Sequence, residues 1–518
     1  MKYINAVGKE LYVNNKTILL RGFGLGGWFL PEGYMWKLYT KCDRPRRMEA
    51  MIENLCGEEY AGTFWERYLD YYITEDDIEF IARVGFNCIR LPLNARHLYE
   101  MREHRPHWKE AMFARIDRLI AWCRRHHIYV ILDMHGAPGG QTGQNIDDSE
   151  ADQPLLFMVP HYEEELILLW SEIARRYRDE EIVAGYDLLN EPVPNFFQQY
   201  NPCVLPLYRK LIQTIRENDR NHMIILEGVH WATDFSIFDP FTTEEAADNI
   251  LLQFHKYWSN PDAESLQEFI HQADRLNVPL FMGEGGENNC DWYTTVFPLY
   301  ERLSISWSFW SYKKMDCTNS PITFNVPEGW AELIDWIDGK GAITAVRARV
   351  IFDNFLQCLR TVSINSKVLR ALKRELPVNI PCEAYEEGQF HSPRVQGAKL
   401  RMSEPASIVF ESGKSGEVDY RRYGGEEQPV EEKLLLLLGT GDHVNYRYHT
   451  SCNEINIVIT AEGEGELKLS TGLQEAGLRI NGRNKYQACL RVPLEAKNYL
   501  LVDCTEGYVK LDDLSLSF

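Results

Sequence analysis

The run Gly22-Phe23-Gly24-Leu25-Gly26-Gly27-Trp28-Phe29-Leu30-Pro31 decides between two α/β architectures. A doubly wound sheet carries a glycine-rich loop after its first strand, and a helix opens directly on that loop to cradle phosphate. Here the glycines belong to and follow an apolar β-rich run at 18–25. Where a helix should begin, an aromatic segment closed by Pro31 follows instead. The phosphate loop is therefore rejected, and with it the doubly wound sheet.

Working outward, β-rich runs recur at 85–91, 129–135, 183–190, 223–227, 250–255, 279–284 and 304–310. Amphipathic helical patterns lie between them, for example at 75–84, 111–126, 162–177 and 205–218. Strands alternating with helices predict a parallel sheet, and eight such strands predict a (β/α)8 TIM barrel. Residues 5–17, with Asn14-Asn15 between apolar runs, read as a hairpin placed to close the bottom of the barrel. Helical residues 343–374 finish this part, and Pro377 and Pro381 mark a boundary.

The pattern then changes. Short β-prone runs at 406–411, 433–438, 444–448, 454–460, 464–469, 478–480, 488–492 and 499–502 are separated by Gly, Asn, Asp and Ser turns, and 508–518 alternates as a last strand. This predicts an all-β, jelly-roll-like sandwich. The expected domains are 1–378, the α/β catalytic barrel, and 379–518, the sandwich. All 13 tryptophans lie between Trp28 and Trp336, so the sandwich has none. Tyr420, Tyr423, Tyr446 and Tyr448 are its remaining candidates for sugar contact, beside a purely structural role.

Composition removes several function classes. The 518 residues carry 76 acidic and 55 basic side chains, a net charge of −21. Nucleic acid and anionic membranes select the opposite sign, so neither is an expected partner. No run approaches the roughly 18 apolar residues of a membrane helix. No apolar segment follows Lys2, so a cytoplasmic location is expected. The 12 cysteines are scattered without C-x-x-C, which reads as reduced thiols. His126-His127, His104 and His107 lack the spacing of a zinc helix, Asp147-Asp148 lacks that of an EF-hand, and no G-x-S-x-G elbow occurs. Neither metal nor cofactor is expected.

The strand ends of a barrel carry its chemistry. Here they offer Arg90, His135, Asn190-Glu191, His255 with Tyr257, Glu284 and Trp310. Glu191 and Glu284 follow strongly apolar runs on strands four and seven, nearly opposite across the mouth. Two carboxylates across a sugar-sized pocket suit hydrolysis of a glycosidic bond, one protonated and one ionised. Arg90 can hold a glutamate ionised, Asn190 can bond a sugar 2-OH, Tyr257 can donate to the nucleophile, and Trp310 offers a ring face.

Taken together, this series resembles glycoside hydrolase family 5, the retaining (β/α)8 clan. Two stretches are similar to exo-β-1,3-glucanases: Leu25-Gly26-Gly27-Trp28-Phe29-Leu30-Pro31-Glu32-Gly33-Tyr34-Met35 and His135-Gly136-Ala137-Pro138-Gly139-Gly140-Gln141. The resemblance implies Glu191 as acid/base and Glu284 as nucleophile. It implies Arg90, His135, Asn190, His255, Tyr257 and Trp310 around the bound sugar. Glu32 would bind hydroxyls at the non-reducing end, with Trp28 in the same loop. Gln144-Asn145-Ile146-Asp147-Asp148 and Ser311-Tyr312-Lys313-Lys314-Met315-Asp316 depart from the glucanase pattern, and both shape the rim.

The implied activity is exo-acting, retaining removal of terminal β-linked glucose from small β-glucosides or β-1,3-gluco-oligosaccharides. The alternatives are a glucosylceramidase-like or diglycoside-specific β-glycosidase, an endo-β-glucanase, and a non-catalytic sugar-binding barrel. The sequence names no partner protein.

Overall fold

The computed structural model describes residues 3–39, 41–420, 433–493, 495 and 498–518. They form two compact units, 1–256 with 268–286 and 304–364, and 257–267 with 287–303 and 365–518.

The first unit holds a closed barrel of eight parallel strands: β1 Arg21–Gly24, β2 Cys88–Asn94, β3 Tyr129–Gly136, β4 Val183–Asp187, β5 Met223–Glu227, β6 Ile250–His255, β7 Leu280–Gly286 and β8 Ser306–Trp310. Each strand pairs with the next, and β8 closes on β1 with Ser308 opposite Gly22. This is the expected TIM barrel; the second unit, however, takes in 257–267, 287–303 and 365–378, which the expected boundary at 378/379 assigns to the barrel domain.

Local chemistry sets the helices. The helix Glu75–Arg83 starts in a capping box, with the Thr74 N–H donated to Asp77 Oδ2 at 2.8 Å. The helix Glu110–His126 buries Phe113, Ile116, Leu119, Ile120 and Cys123, a single helical face, and ends on left-handed His127. Pro160 occupies the first turn of the helix Pro160–Tyr177, where its missing N–H goes unneeded.

Residues 5–18 form three antiparallel strands rather than one hairpin: Asn5–Val7, Glu10–Val13 and Lys16–Ile18. Leu11 joins Ile4, Leu20, Cys88, Ile131, Ala184, Met223, Ile225, Leu251 and Phe281 in one apolar cluster. Most of these residues sit near the starts of barrel strands, so the small sheet plugs the bottom.

The second unit contains an antiparallel network built on two long strands. Its strands are β9 Val378–Pro381, β10 Glu387–Gln389, β11 Ser407–Phe410, β12 Leu434–Gly439, β13 His443–Tyr448, β14 Glu454–Ser470, β15 Glu475–Asn481, β16 Asn484–Arg491 and β17 Asn498–Ser517. The sequence divides β14 and β17 into two strands each, because Glu462-Gly463 and Glu506-Gly507 look like turns. In the structure these glycines bend continuous strands, and the register shifts at Ile459/Ala461 and Glu466/Leu467. The strands are thus hydrogen-bonded into one antiparallel network, and their buried side chains form one core. Tyr446 and Tyr448 are fully buried in that core. Tyr420 is half-buried, and Tyr423 lies outside the described residues.

Candidate active site

The site is assembled on Arg90, which leaves β2 fully buried. Its Nη1 donates to Glu284 Oε1 at 2.5 Å, its Nε to Asp187 Oδ2 at 2.8 Å, and its Nη2 to Asn190 Oδ1 at 2.8 Å and Glu227 Oε1 at 3.0 Å. Asp133 Oδ1 lies 3.1 Å from Nη2. Four carboxyl groups therefore share one guanidinium away from water.

Glu191 sits four residues beyond the end of β4, because the strand expected over 183–190 ends at Asp187. The Asn190 N–H is donated to the Met134 carbonyl at 3.1 Å, and Gln141 Nε2 donates to the Asn190 carbonyl at 2.8 Å. Glu191 then takes a left-handed φ of +44°. One carboxylate oxygen of Glu191, one of Glu284 and a ring nitrogen of His255 lie within 4.8 Å of one another. His255 Nδ1 is 2.7 Å from Glu191 Oε1 and 3.8 Å from Glu284 Oε2. This trio is also a grouping with the spacing to hold a metal ion.

Electrostatics separates the two histidines. Burial pushes His135 down to about 4, against the pull of Glu284, so it is neutral at pH 7. Burial works the same way on His255, but Glu227 and Glu284, with its bonds to Glu191 and Glu227, raise it well above the ordinary value. Burial also raises Glu284, and His255 and Arg90 pull it back. Beneath them, burial raises Asp133 well above the usual carboxylate range and pushes Asp187 up to about 7, with Glu227 adding to the latter.

His135 and Trp310 stack, with ring centres 5.3 Å apart and planes 8° apart. The glycine run makes room for this stack. A Cβ on Gly24 would fall 2.5 Å from the Trp310 ring, and one on Gly26 would fall 2.7 Å away. The stretch that resembles a phosphate loop thus clears space for an indole. Trp310 Nε1 donates to Tyr34 Oη at 3.0 Å, and Asn145 Nδ2 donates to Glu32 Oε2 at 3.0 Å. The structure thereby brings Glu32, Arg90, His135, Asn190, Glu191, His255, Glu284 and Trp310 to the C-terminal end of the barrel.

Two expected site residues are placed differently. Trp28 is 1% exposed, its ring lies against Phe29, and its Nε1 donates to the Leu69 carbonyl at 2.8 Å. That bond ties the indole to the helix Glu58–Tyr72, a packing role rather than sugar contact. Tyr257 falls in the second unit, half-buried, with its ring 5.7 Å from that of Trp258.

Sequence reading passed over Asp133, Asp187, Glu227 and Gln253. The signal was period two. Asp133 precedes His135, and Gln253 precedes His255, by two residues on one strand, which puts each pair on the same barrel-facing side. Glu227 ends an apolar run as Glu191 and Glu284 do.

The profile of cellulases, glycosyl hydrolase family 5, matches residues 52–316, half of the chain. The chain belongs to glycosyl hydrolase family 5. A β-xylosidase of Phanerodontia chrysosporium is 33% identical over 258 residues, covering 50% of this chain and 52% of that protein. The chain thus spans about half the length of this relative. A probable glucan 1,3-β-glucosidase A of Emericella nidulans is 27% identical over 290 residues, covering 53% of this chain and 69% of the other. The crystal structure of an endogalactoceramidase superposes over 99% of this chain and 100% of its own, with a TM-score of 0.50 at 14% identity, a likeness of fold. Among the described residues no helix is long and apolar enough to cross a membrane.

Proposed function

We propose that this family 5 chain is a retaining, exo-acting β-glycosidase that releases terminal β-linked glucose from small β-glucosides or β-1,3-gluco-oligosaccharides. The observation that carries the reading is the approach of Glu191 and Glu284, with an oxygen of each within 4.8 Å. Retaining enzymes hold their carboxyl groups about 5–5.5 Å apart, and inverting enzymes leave about 6.5–9.5 Å for a water.

In this reading Glu284 attacks the anomeric carbon while Glu191 protonates the leaving oxygen. Arg90, bound to Glu284 Oε1, steadies the attacking carboxylate. Water activated by ionised Glu191 then releases the sugar, with the anomeric configuration retained. Asn190, His135 and His255 surround the sugar, and Trp310 underlies it. Glu32, bonded to Asn145, supports a closed end and hence exo action. Residues 379–518 serve a structural or sugar-binding role.

The test is a panel of aryl β-glucoside, aryl β-xyloside, laminari-oligosaccharides and laminarin polymer. The xyloside is included because one relative bears the name β-xylosidase. Glucose as the sole early product, first appearing as the β-anomer by NMR, supports the reading. A 2-fluoro-glucoside should label Glu284. An α-anomer first, or a label on another residue, sinks the mechanism. Internal cleavage of laminarin moves the assignment to an endo enzyme.

A further inference from the structure

Glu227 belongs to no role in the reaction just described, yet its fully buried carboxyl group meets the Glu191 backbone, Arg90, Gln253 and His255. Its Oε2 accepts the backbone N–H of Glu191 at 2.6 Å. Its Oε1 accepts from Arg90 Nη2 at 3.0 Å and from Gln253 Nε2. His255 Nε2 lies 3.5 Å from the same oxygen, while the other ring nitrogen of His255 is 2.7 Å from Glu191 Oε1. Glu227 thus meets Glu191 twice, once at its backbone and once across an imidazole.

Glu191 needs such a hold. Its φ of +44° lies in the left-handed region, which side chains other than glycine rarely adopt. Val193, two residues on, is left-handed as well, at +52°. A conformation of this kind persists where the surroundings over-determine it. A carboxyl oxygen that accepts the N–H of the strained residue away from water is such a constraint. The main chain of Glu227 is fixed in turn, since Tyr208 Oη donates to its carbonyl at 2.9 Å.

We propose that Glu227 is the positioning residue of Glu191, fixing both its backbone and, through His255, its carboxylate for proton donation to the leaving group. This rests on the retaining reading above. Glu227 touches no substrate atom; it acts through the acid.

The consequence differs between substrates. A poor leaving group departs only with its proton delivered, whereas an activated one departs unaided. The test compares Glu227→Gln with wild type on methyl β-glucoside and on 2,4-dinitrophenyl β-glucoside. The amide offers one oxygen acceptor where the carboxylate offers two, so the Glu191 N–H or the Arg90 contact is lost. The expected result is a fall in kcat/KM of about 100-fold or more on the alkyl glucoside, the scale of general acid catalysis. On the dinitrophenyl substrate the expected loss is under about tenfold, because no proton transfer is required there. Glu227→Asp keeps the charge but shortens the reach. It should show the same asymmetry, and it serves where the Gln variant does not fold.

Equal losses on both substrates, or no loss, overturn the proposal, as do Gln and Asp variants that both fail to fold. A wild type inactive on every β-glycoside overturns the retaining reading and this inference with it. An active wild type with uniform losses overturns the inference alone.

Discussion

Gly283 and Gln253 compete for one volume: a Cβ built on Gly283 of β7 falls 2.2 Å from Cδ of Gln253 on β6. Gln253 uses that space to send its Nε2 to Asp187 Oδ2 at 3.0 Å and to Glu227. Gly283→Ala must therefore push the amide off the carboxylates. Overpacking of this kind costs about 1–3 kcal/mol. The expected outcome is a loss of that size in denaturant unfolding together with a drop in kcat/KM. Adding Gln253→Ala removes the collision, so the double variant should be more stable than the two single losses sum to. Strict additivity would show that the collision is relieved elsewhere.

Asp187 makes the stability of the barrel sensitive to pH. Burial and Glu227 push it up to about 7, against about 3.9 in an unfolded chain. The folded state therefore holds this proton more tightly than the unfolded one. The resulting stabilisation is complete below about pH 4 and is lost as pH rises through about 7. Asn at 187 keeps an oxygen for Arg90 Nε and cannot titrate. Melting temperatures of wild type and Asp187→Asn, measured from pH 4.5 to 7.5, should shift relative to each other in favour of the variant as pH rises. A constant difference across that window contradicts the raised value.

These groups show which parts of the molecule the sequence discloses. The barrel is legible because its strands are apolar runs with turn-rich ends and its helices bury one face; Leu132, Leu226 and Phe281 announce themselves. Glu191 and Glu284 are legible because a charge at the end of an apolar strand demands a reason. Asp133, Asp187 and Glu227 are less so, since their partner is one arginine about 40 to 140 residues away in sequence, and only the closure of the barrel brings them together. Trp28 misleads because an aromatic beside a candidate sugar acceptor has the same composition as an aromatic packed on a helix. What separates them is the Leu69 carbonyl, a long-range contact. The long strands β14 and β17 are hidden for a different reason: glycine marks a turn and a strand bend with the same letter.

Removing the acid itself gives a second, larger asymmetry. Glu191→Ala should slow kcat/KM on alkyl glucosides by roughly 10²–10⁴, the range of general acid catalysis. On the dinitrophenyl glucoside the first step proceeds, but the base for the second is missing. The glycosyl-enzyme should accumulate, seen as a burst of dinitrophenolate followed by a slow steady state. Added azide, a small anionic nucleophile that needs no base, should restore turnover and yield the β-glucosyl azide. An α-azide product, or no burst, contradicts the assignment of Glu191.

Arg374 plays in the second unit the part that Arg90 plays in the first, with stability rather than chemistry at stake. It is 2% exposed, and burial holds its guanidinium down to about 10 while Glu386 counters. Its Nε donates to the Thr294 carbonyl and its Nη2 to the Ala384 carbonyl, each at 2.6 Å, and its Nη1 reaches Glu386 Oε1 at 3.0 Å. Arg374→Met deletes these bonds and leaves the Glu386 carboxylate buried with Arg447 Nε 3.8 Å away. Breaking a buried pair from one side costs about 3–5 kcal/mol, which at about 2–4 °C per kcal/mol lowers the melting temperature by on the order of 10 °C. Arg374→Met with Glu386→Leu removes the stranded charge as well and should recover much of the loss, because an apolar pair of similar volume is often no worse than the ion pair it replaces. Lys at 374 keeps the charge but not the fork, so it should fall between the two, since one ammonium cannot span the Thr294 and Ala384 carbonyls together. Equal melting temperatures for the single and double variants would place the loss in the missing carbonyl bonds rather than in the stranded carboxylate.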